Sequence, residues 1–233
     1  ISPYAYCGNN PVNRIDPDGR DARLVGSGTK EDPFIIQAKY FYKNGSLNED
    51  QLKGLNGAIT AYNSAGGKEG IKIKNEDGSS SYVKFDLSAE GVDDVNEARL
   101  GTAFENTSGD TQYYGNIVGT EVNTGDEFGS ANNYRIDFNV GNTNAGVDNG
   151  MNSNSLNKGV AIHEIGHNLG AEHSDGTSVM DIITTTTTHN QIGGTTTVLH
   201  NYPSMDKRIT KTLINRRDVP RTSGAGRIWT QKH

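Results

Sequence analysis

A chain of 233 residues, 32% of them hydrophobic and 29 of them glycine, is long enough for one cored domain with appendages. Its formal charge of −6 offers no basic face for nucleic acid, and its single cysteine, Cys7, excludes an internal disulfide framework. No apolar run reaches the length of a membrane span and no signal peptide opens the sequence, so either the chain works in the cytoplasm or something larger delivers it.

Residues 1–21 differ in character from the rest. Tyr4 and Tyr6 alternate, and Asn10-Pro11 and Asp16-Pro17-Asp18-Gly19 then mark successive turns. Asp16, Asp18 and Asp21 also offer hard oxygen ligands for calcium, but the remainder of an EF-hand loop is missing and a turn accounts for them. The spacing Y-x-Y-x-x-N-N-P-x-x-x-x-D-P-x-G resembles the end of the Rhs repeat-associated core. In bacterial polymorphic toxins that core closes a large β-strand shell, and a variable toxin domain follows it. The resemblance implies a boundary at residue 21, a parent Rhs shell, and a secreted or delivered C-terminal domain over 22–233 with its catalytic core at about 32–217.

After Asp32-Pro33, Phe34 to Tyr42 reads as a strand, ended by Asn44-Gly45. Ser46 to Ser64 reads as a helix with Leu47, Leu52, Leu55, Ile59 and Tyr62 near one face and Glu49 and Asp50 in its first turn. Gly66-Gly67 stops it. Ile71–Lys74 and Tyr82–Leu87 alternate as strands and are joined by an Asp77-Gly78-Ser79 turn. A short helix is expected over Val92–Leu100, then strands over Tyr113–Val122 and Tyr134–Val140. Residues 141–155 are dense in Asn, Gly and Asp. They read as an exposed loop, with a calcium site on Asp148 as the alternative.

The most informative stretch is His163-Glu164-Ile165-Gly166-His167-Asn168-Leu169-Gly170-Ala171-Glu172-His173. The preceding residues continue a helical apolar period, with Ser155 as the expected N-cap. Two histidines four apart project from one helix face, one turn above the other. Glu164 can reach a water on a metal held there without being a ligand itself. Gly170 stands where a left-handed residue would end the helix and let His173 return as a third nitrogen ligand. Three histidines leave a fourth zinc position open, the arrangement of a catalytic site. Five fixed positions arise by chance in a chain this long with odds on the order of 10⁻⁴, which disfavours two core histidines and a surface one as the explanation.

This extended motif resembles the metzincin clan of zinc endopeptidases. Members carry a methionine in a tight turn after the third histidine, forming an apolar floor beneath the metal, and Met180 stands in that place here. Taken alone, a Val-Met pair is ordinary core packing. No tyrosine follows Met180 within a few residues, so the tyrosine ligand of the astacin and serralysin groups has no counterpart. The resemblance implies an α+β zincin-like fold. Its parts are a mixed twisted sheet of about five strands with an antiparallel edge strand, a long zinc-binding helix, a Met-turn and a C-terminal helix. In the clan the edge strand pairs with extended substrate. By order that strand would be Tyr113–Val122, which makes Tyr113, Tyr114, Ile117 and Val118 candidate substrate-binding residues. A cysteine upstream of such a domain can occupy the open zinc position, although the Rhs-like segment already accounts for Cys7.

Beyond Met180, Thr184–Thr188 and Thr195–Thr197 flank an Asn-Gln-Ile-Gly-Gly turn and suit either a β-hairpin or a low-complexity loop, with His189 and His200 on the surface. Ser204 would cap a last helix through Asn215, with Met205, Ile209, Leu213 and Ile214 inward. The basic tail 216–233 is expected to dock only through Ile228 and Trp229.

These readings converge on hydrolysis of a protein or peptide substrate by a water activated on one zinc ion, with His163, His167 and His173 as ligands and Glu164 as general base. The two resemblances together imply a toxin or effector domain, with a cognate immunity protein as a partner. Two other readings stay open: a non-catalytic zinc-stabilised binding or adhesion module, and a zinc amidase acting on cell-wall peptides.

Overall fold

The protein is described by a computed structural model covering residues 22–75, 77–101, 104–105, 112–113, 115–122, 128–132, 134–148, 152–169, 185–189, 195–199 and 228–230. It is a mixed α+β structure. In chain order the strands and helices are β1 (Ala22–Val25), β2 (Phe34–Lys43), α1 (Glu49–Ser64), β3 (Ile71–Lys74), β4 (Ser80–Val92), α2 (Val95–Gly101), β5 (Phe104–Glu105), β6 (Gln112–Tyr113), β7 (Asn116–Glu121), β8 (Gly129–Asn132), β9 (Arg135–Asn139), α3 (Val140–Asp148), α4 (Ser153–Asn168), β10 (Thr185–His189), β11 (Thr195–Leu199) and β12 (Ile228–Thr230). A 3₁₀ turn at Gly67–Glu69 separates α1 from β3.

Among the described residues the main sheet has eight strands, not about five. Its backbone is the run β4-β2-β7-β9-β8, in which β4, β2, β7 and β9 are parallel and β8 is antiparallel to β9. β2 serves as the trunk. Along one side it pairs with β4 over its full ten residues, from Phe34↔Val83 to Lys43↔Val92. Along the other, its first half pairs with β1 and its second half with β7. β12 joins β1 in parallel, so both strands outside the expected 32–217 core nevertheless belong to this sheet. The expected hairpin β3–β4 forms. The Asp77 carboxylate accepts from Ser79 N–H at its turn, and Gly78 takes a φ of 85° that only glycine adopts without strain.

α1 starts where its side chains supply a cap. Asn48 accepts from Gln51 N–H at 2.8 Å and the Gln51 side chain accepts from Asn48 N–H at 2.9 Å, a reciprocal box. The helix therefore begins at Glu49 and not at Ser46, whose hydroxyl instead donates to the Lys43 carbonyl. Similarly α2 begins after Asp94, which accepts from Asn96 and Glu97 N–H, while Val92 still belongs to β4.

α1 and α4 pack against each other over one face of the sheet, and Ile36, Ala38, Tyr40, Val83, Phe85, Val118, Ile136 and Phe138 meet them in a single apolar cluster. At roughly 1.5–3 kcal/mol for each large side chain removed from water, this layer holds the fold together. Phe41 and Ile117 are buried but alternate to the opposite face. There Gly115, whose N–H donates to the Arg99 carbonyl of α2, lies against the Phe41 ring.

Three expectations are corrected. Residues 141–155 are not a loop, since α3 occupies Val140–Asp148, with the buried Thr143 hydroxyl donating to the Asn139 carbonyl at 2.8 Å. Tyr113–Val122 is not one strand. Tyr113 pairs with Phe104 in the small β5–β6 sheet, and β7 starts at Asn116. Nor is β7 an edge, because it lies between β2 and β9. Among the described residues β8 and β3 are the antiparallel edges, and β8 is the one that packs on α4. The threonine-rich segments form the two-stranded β10–β11 hairpin. Residues 1–21 and the helix expected at 204–215 lie outside the described residues. Among the described residues, no helix is long and apolar enough to cross a membrane.

Candidate metal centre

α4 begins three residues earlier than Ser155 would place it. Asn152 is the cap, accepting from Ser155 N–H at 3.0 Å, and the helix runs from Ser153 to Asn168 with Leu169 N–H closing on the Ile165 carbonyl at 2.9 Å. This length carries His163, Glu164 and His167 through the middle of the domain, between α1, α3, β8 and β9. Ten of its sixteen residues are buried.

His163 and His167 stack at right angles along one face of α4, with ring centroids 4.7 Å apart and an interplanar angle of 85°. Their Nε2 atoms converge to 3.1 Å. Two zinc–nitrogen bonds of 2.0–2.1 Å at a tetrahedral angle would separate the nitrogens by about 3.3 Å, so the pair fits a shared zinc ion with almost no adjustment. The chemistry of the donors suits zinc as well, neutral imidazole being a favoured ligand. Among the described residues, no group of three or more His, Cys, Asp or Glu that could hold a metal is found. The expected third ligand, His173, lies outside them, as do Gly170, Met180 and Tyr114.

Glu164 is 6% exposed and His163 7%. The Glu164 stem packs beneath the edge strand. A Cβ placed on Gly129 of β8 would lie 3.0 Å from Glu164 Cγ, 2.7 Å from Val160 Cγ1 and 2.8 Å from the Asp137 carbonyl oxygen. Only glycine lets β8 come this close to α4. Glu164 also lines a shallow recess with Ile136, Asp137, Phe138, Val160 and Ala161.

Two buried phenols reach α4 from other elements. The Tyr62 hydroxyl of α1 donates to the Ile162 carbonyl at 2.8 Å, and the Tyr40 hydroxyl of β2 donates to Asn168 Oδ1 at 2.9 Å. Burial, reinforced by the nearby Glu164 charge, pushes the Tyr62 phenol well above its ordinary range. On the opposite face of the sheet Arg135 and Asp137, two apart on β9, form a two-pronged ion pair that holds the Arg135 guanidinium protonated.

Of the candidate substrate-binding residues, the described ones, Tyr113, Ile117 and Val118, belong to other strands than the edge over α4. Ile117 and Val118 are buried in the sheet interior, where β7 has hydrogen-bonded neighbours on both sides, and no strand-like ligand can pair with them. Tyr113 pairs with Phe104 away from the main sheet. The residues that do surround Glu164, Gly129 above all, carried no motif. Tyr62 was legible only as an apolar position on the α1 face.

No protein-family model matches the chain, and no curated protein matches it in sequence. Neither comparison assigns it a family. The function rests on the geometry and chemistry of the residues themselves.

Proposed function

We propose that the chain is a zinc-dependent endopeptidase of metzincin type, with His163, His167 and His173 holding the metal and Glu164 as general base. The observation that carries this reading is the convergence of His163 and His167 Nε2 to 3.1 Å, one turn apart, with Glu164 buried beside them. The antiparallel edge strand lying against the same helix adds support, being the arrangement the resemblance implies.

Zinc bound there would supply Lewis acidity, lowering the pKa of a water towards neutrality and polarising the scissile carbonyl. Glu164 then takes a proton from the attacking water and passes it to the leaving amine. Its burial under β8 keeps the carboxylate from relaxing into bulk solvent between the two transfers. Pairing with an extended substrate falls to β8, the edge strand of the main sheet that packs against α4. Main-chain pairing along that edge gives affinity with little dependence on side chains. The Rhs-like spacing of residues 1–21 supports a toxin or effector domain delivered as part of a larger bacterial protein, with an immunity protein as its counterpart.

The test is cleavage of an unbiased peptide library by wild type, by Glu164→Gln and in the presence of a chelator, with bound zinc quantified throughout. Glu164→Gln should retain zinc and lose about 10²–10⁴-fold in turnover. Stoichiometric zinc without cleavage of any peptide would favour the non-catalytic binding module, cleavage confined to cell-wall peptides would favour the amidase, and absence of zinc would overturn the proposal.

A further inference from the structure

Tyr40 and Tyr62 are both fully buried, and each sends its hydroxyl to α4 from a different element. Their targets bracket the metal-ligand turn. Ile162, whose carbonyl accepts from Tyr62, immediately precedes His163, and Asn168, whose Oδ1 accepts from Tyr40, immediately follows His167. Packing volume alone does not explain these two residues. Phenylalanine would fill the same space without taking a hydroxyl out of water, a step that costs free energy unless the group is bonded. The Ile162 carbonyl is, moreover, within the helical hydrogen-bond ladder, so the Tyr62 bond adds to the helix's own.

Apolar contact is non-directional and leaves a helix able to turn or slide slightly over a sheet. A directional bond at each end of the turn restrains both motions, because two fixed points leave only rotation about the line joining them, which the packing against the sheet opposes. We propose, resting on the zinc reading above, that Tyr62 and Tyr40 are positioning residues of the metal centre, setting the angle and depth at which His163 and His167 present their nitrogens. Neither hydroxyl touches metal or substrate. They act through the backbone at Ile162 and the side chain of Asn168.

The test compares Tyr62→Phe, Tyr40→Phe and the double variant with wild type in the full chain. Zinc affinity is measured by competition with a chromogenic chelator, ligand geometry by the visible absorption spectrum of the cobalt(II)-loaded protein, and turnover by kcat and KM separately. Melting of the metal-free protein is followed alongside. Losing an outer-shell hydrogen bond should weaken zinc binding about tenfold in each single variant and further in the double, shift the cobalt bands, and lower kcat with KM held. Wild-type zinc affinity and an unchanged cobalt spectrum in both single variants would overturn the positioning role, whatever happens to melting. Variants unfolded at the assay temperature would assign the hydroxyls to fold stability and overturn it equally. A wild-type chain that bound no zinc would remove the underlying reading together with this one, an outcome distinct from the other two.

Discussion

α1 and α4 are both sixteen residues long and both start from an asparagine cap, yet they bury different things. α1 buries six residues in one stripe, Gln51, Gly54, Leu55, Ala58, Ile59 and Tyr62, and leaves Glu49 and Lys53 paired in solvent. That exposed pair is screened by solvent and adds little, and the helix is held by its apolar face. α4 buries ten residues, among them His163, Glu164, Asn157 and Asn168. Polar groups are costly in such places unless they are bonded or serve a chemical purpose. Two helices of equal length and similar capping thus divide the work. α1 stabilises through one apolar face, and α4 carries the proposed metal ligands and Glu164 through the interior.

Changes at the flanks of α4 should therefore have larger effects than changes on α1. The largest is expected for Gly129→Ala. The added methyl meets the Asp137 carbonyl and Val160 as well as Glu164, and the backbone contact cannot give way cheaply. Stability should fall by about 1–3 kcal/mol in denaturant melts. Peptide turnover should fall further than folding explains, by up to about 10²-fold, as Glu164 is displaced. Unchanged turnover would separate β8 from the site.

The seam between the helices gives the next contrast. At Gly54 a Cβ would meet Asn157 Cβ at 2.6 Å and the Asn157 backbone carbon at 2.7 Å, so Gly54→Ala should cost about 1–3 kcal/mol. Three residues on, at Gly57, the nearest atom is Lys158 Cδ at 3.3 Å, part of a flexible chain that can swing aside. Gly57→Ala should instead stabilise by about 0.5–1 kcal/mol through helix propensity alone. Equal effects from the two substitutions would break the picture of a helix with one committed face.

The last contrast concerns pH and appears only in alkaline solution. Tyr62 is held protonated in the folded protein above its unfolded value of about 10. Its contribution is fully present below pH 10 and is lost as pH rises from there towards its folded value. Tyr62→Phe should flatten the fall of stability above pH 10 by up to about 1.4 kcal/mol per pH unit relative to wild type, read from denaturant melts across pH 9–11. A parallel fall in both proteins would place the phenol in contact with solvent.

How much of this was legible beforehand depended on the range of the interactions. α1 is legible nearly whole because Leu52, Leu55, Ile59 and Tyr62 recur at helical spacing, whereas Leu47 lies before the cap. The β3–β4 hairpin was read because its turn residues are local. α3 is not legible in the sequence because Asn, Gly and Asp favour loops as isolated residues. Its helix is held by packing on α4 and β9 and by the buried Thr143 hydroxyl, and tertiary contacts override a weak local preference. β7 was misplaced because Ile117-Val118 is equally at home in an edge or an interior strand until its neighbours are known.

The candidate site divides along the same line. Sequence alone determined that His163 and His167 share one helix face with Glu164 beside them, because residues four apart on a helix are adjacent whatever surrounds them. Only the tertiary structure decided what presses on that turn: Gly129 over Glu164, the Tyr62 hydroxyl at Ile162, 100 residues away in the chain, and the Tyr40 hydroxyl at Asn168, 128 residues away. Local periodicity carries no record of partners so distant, since they meet only after the sheet has brought β2 and β8 beneath the same helix.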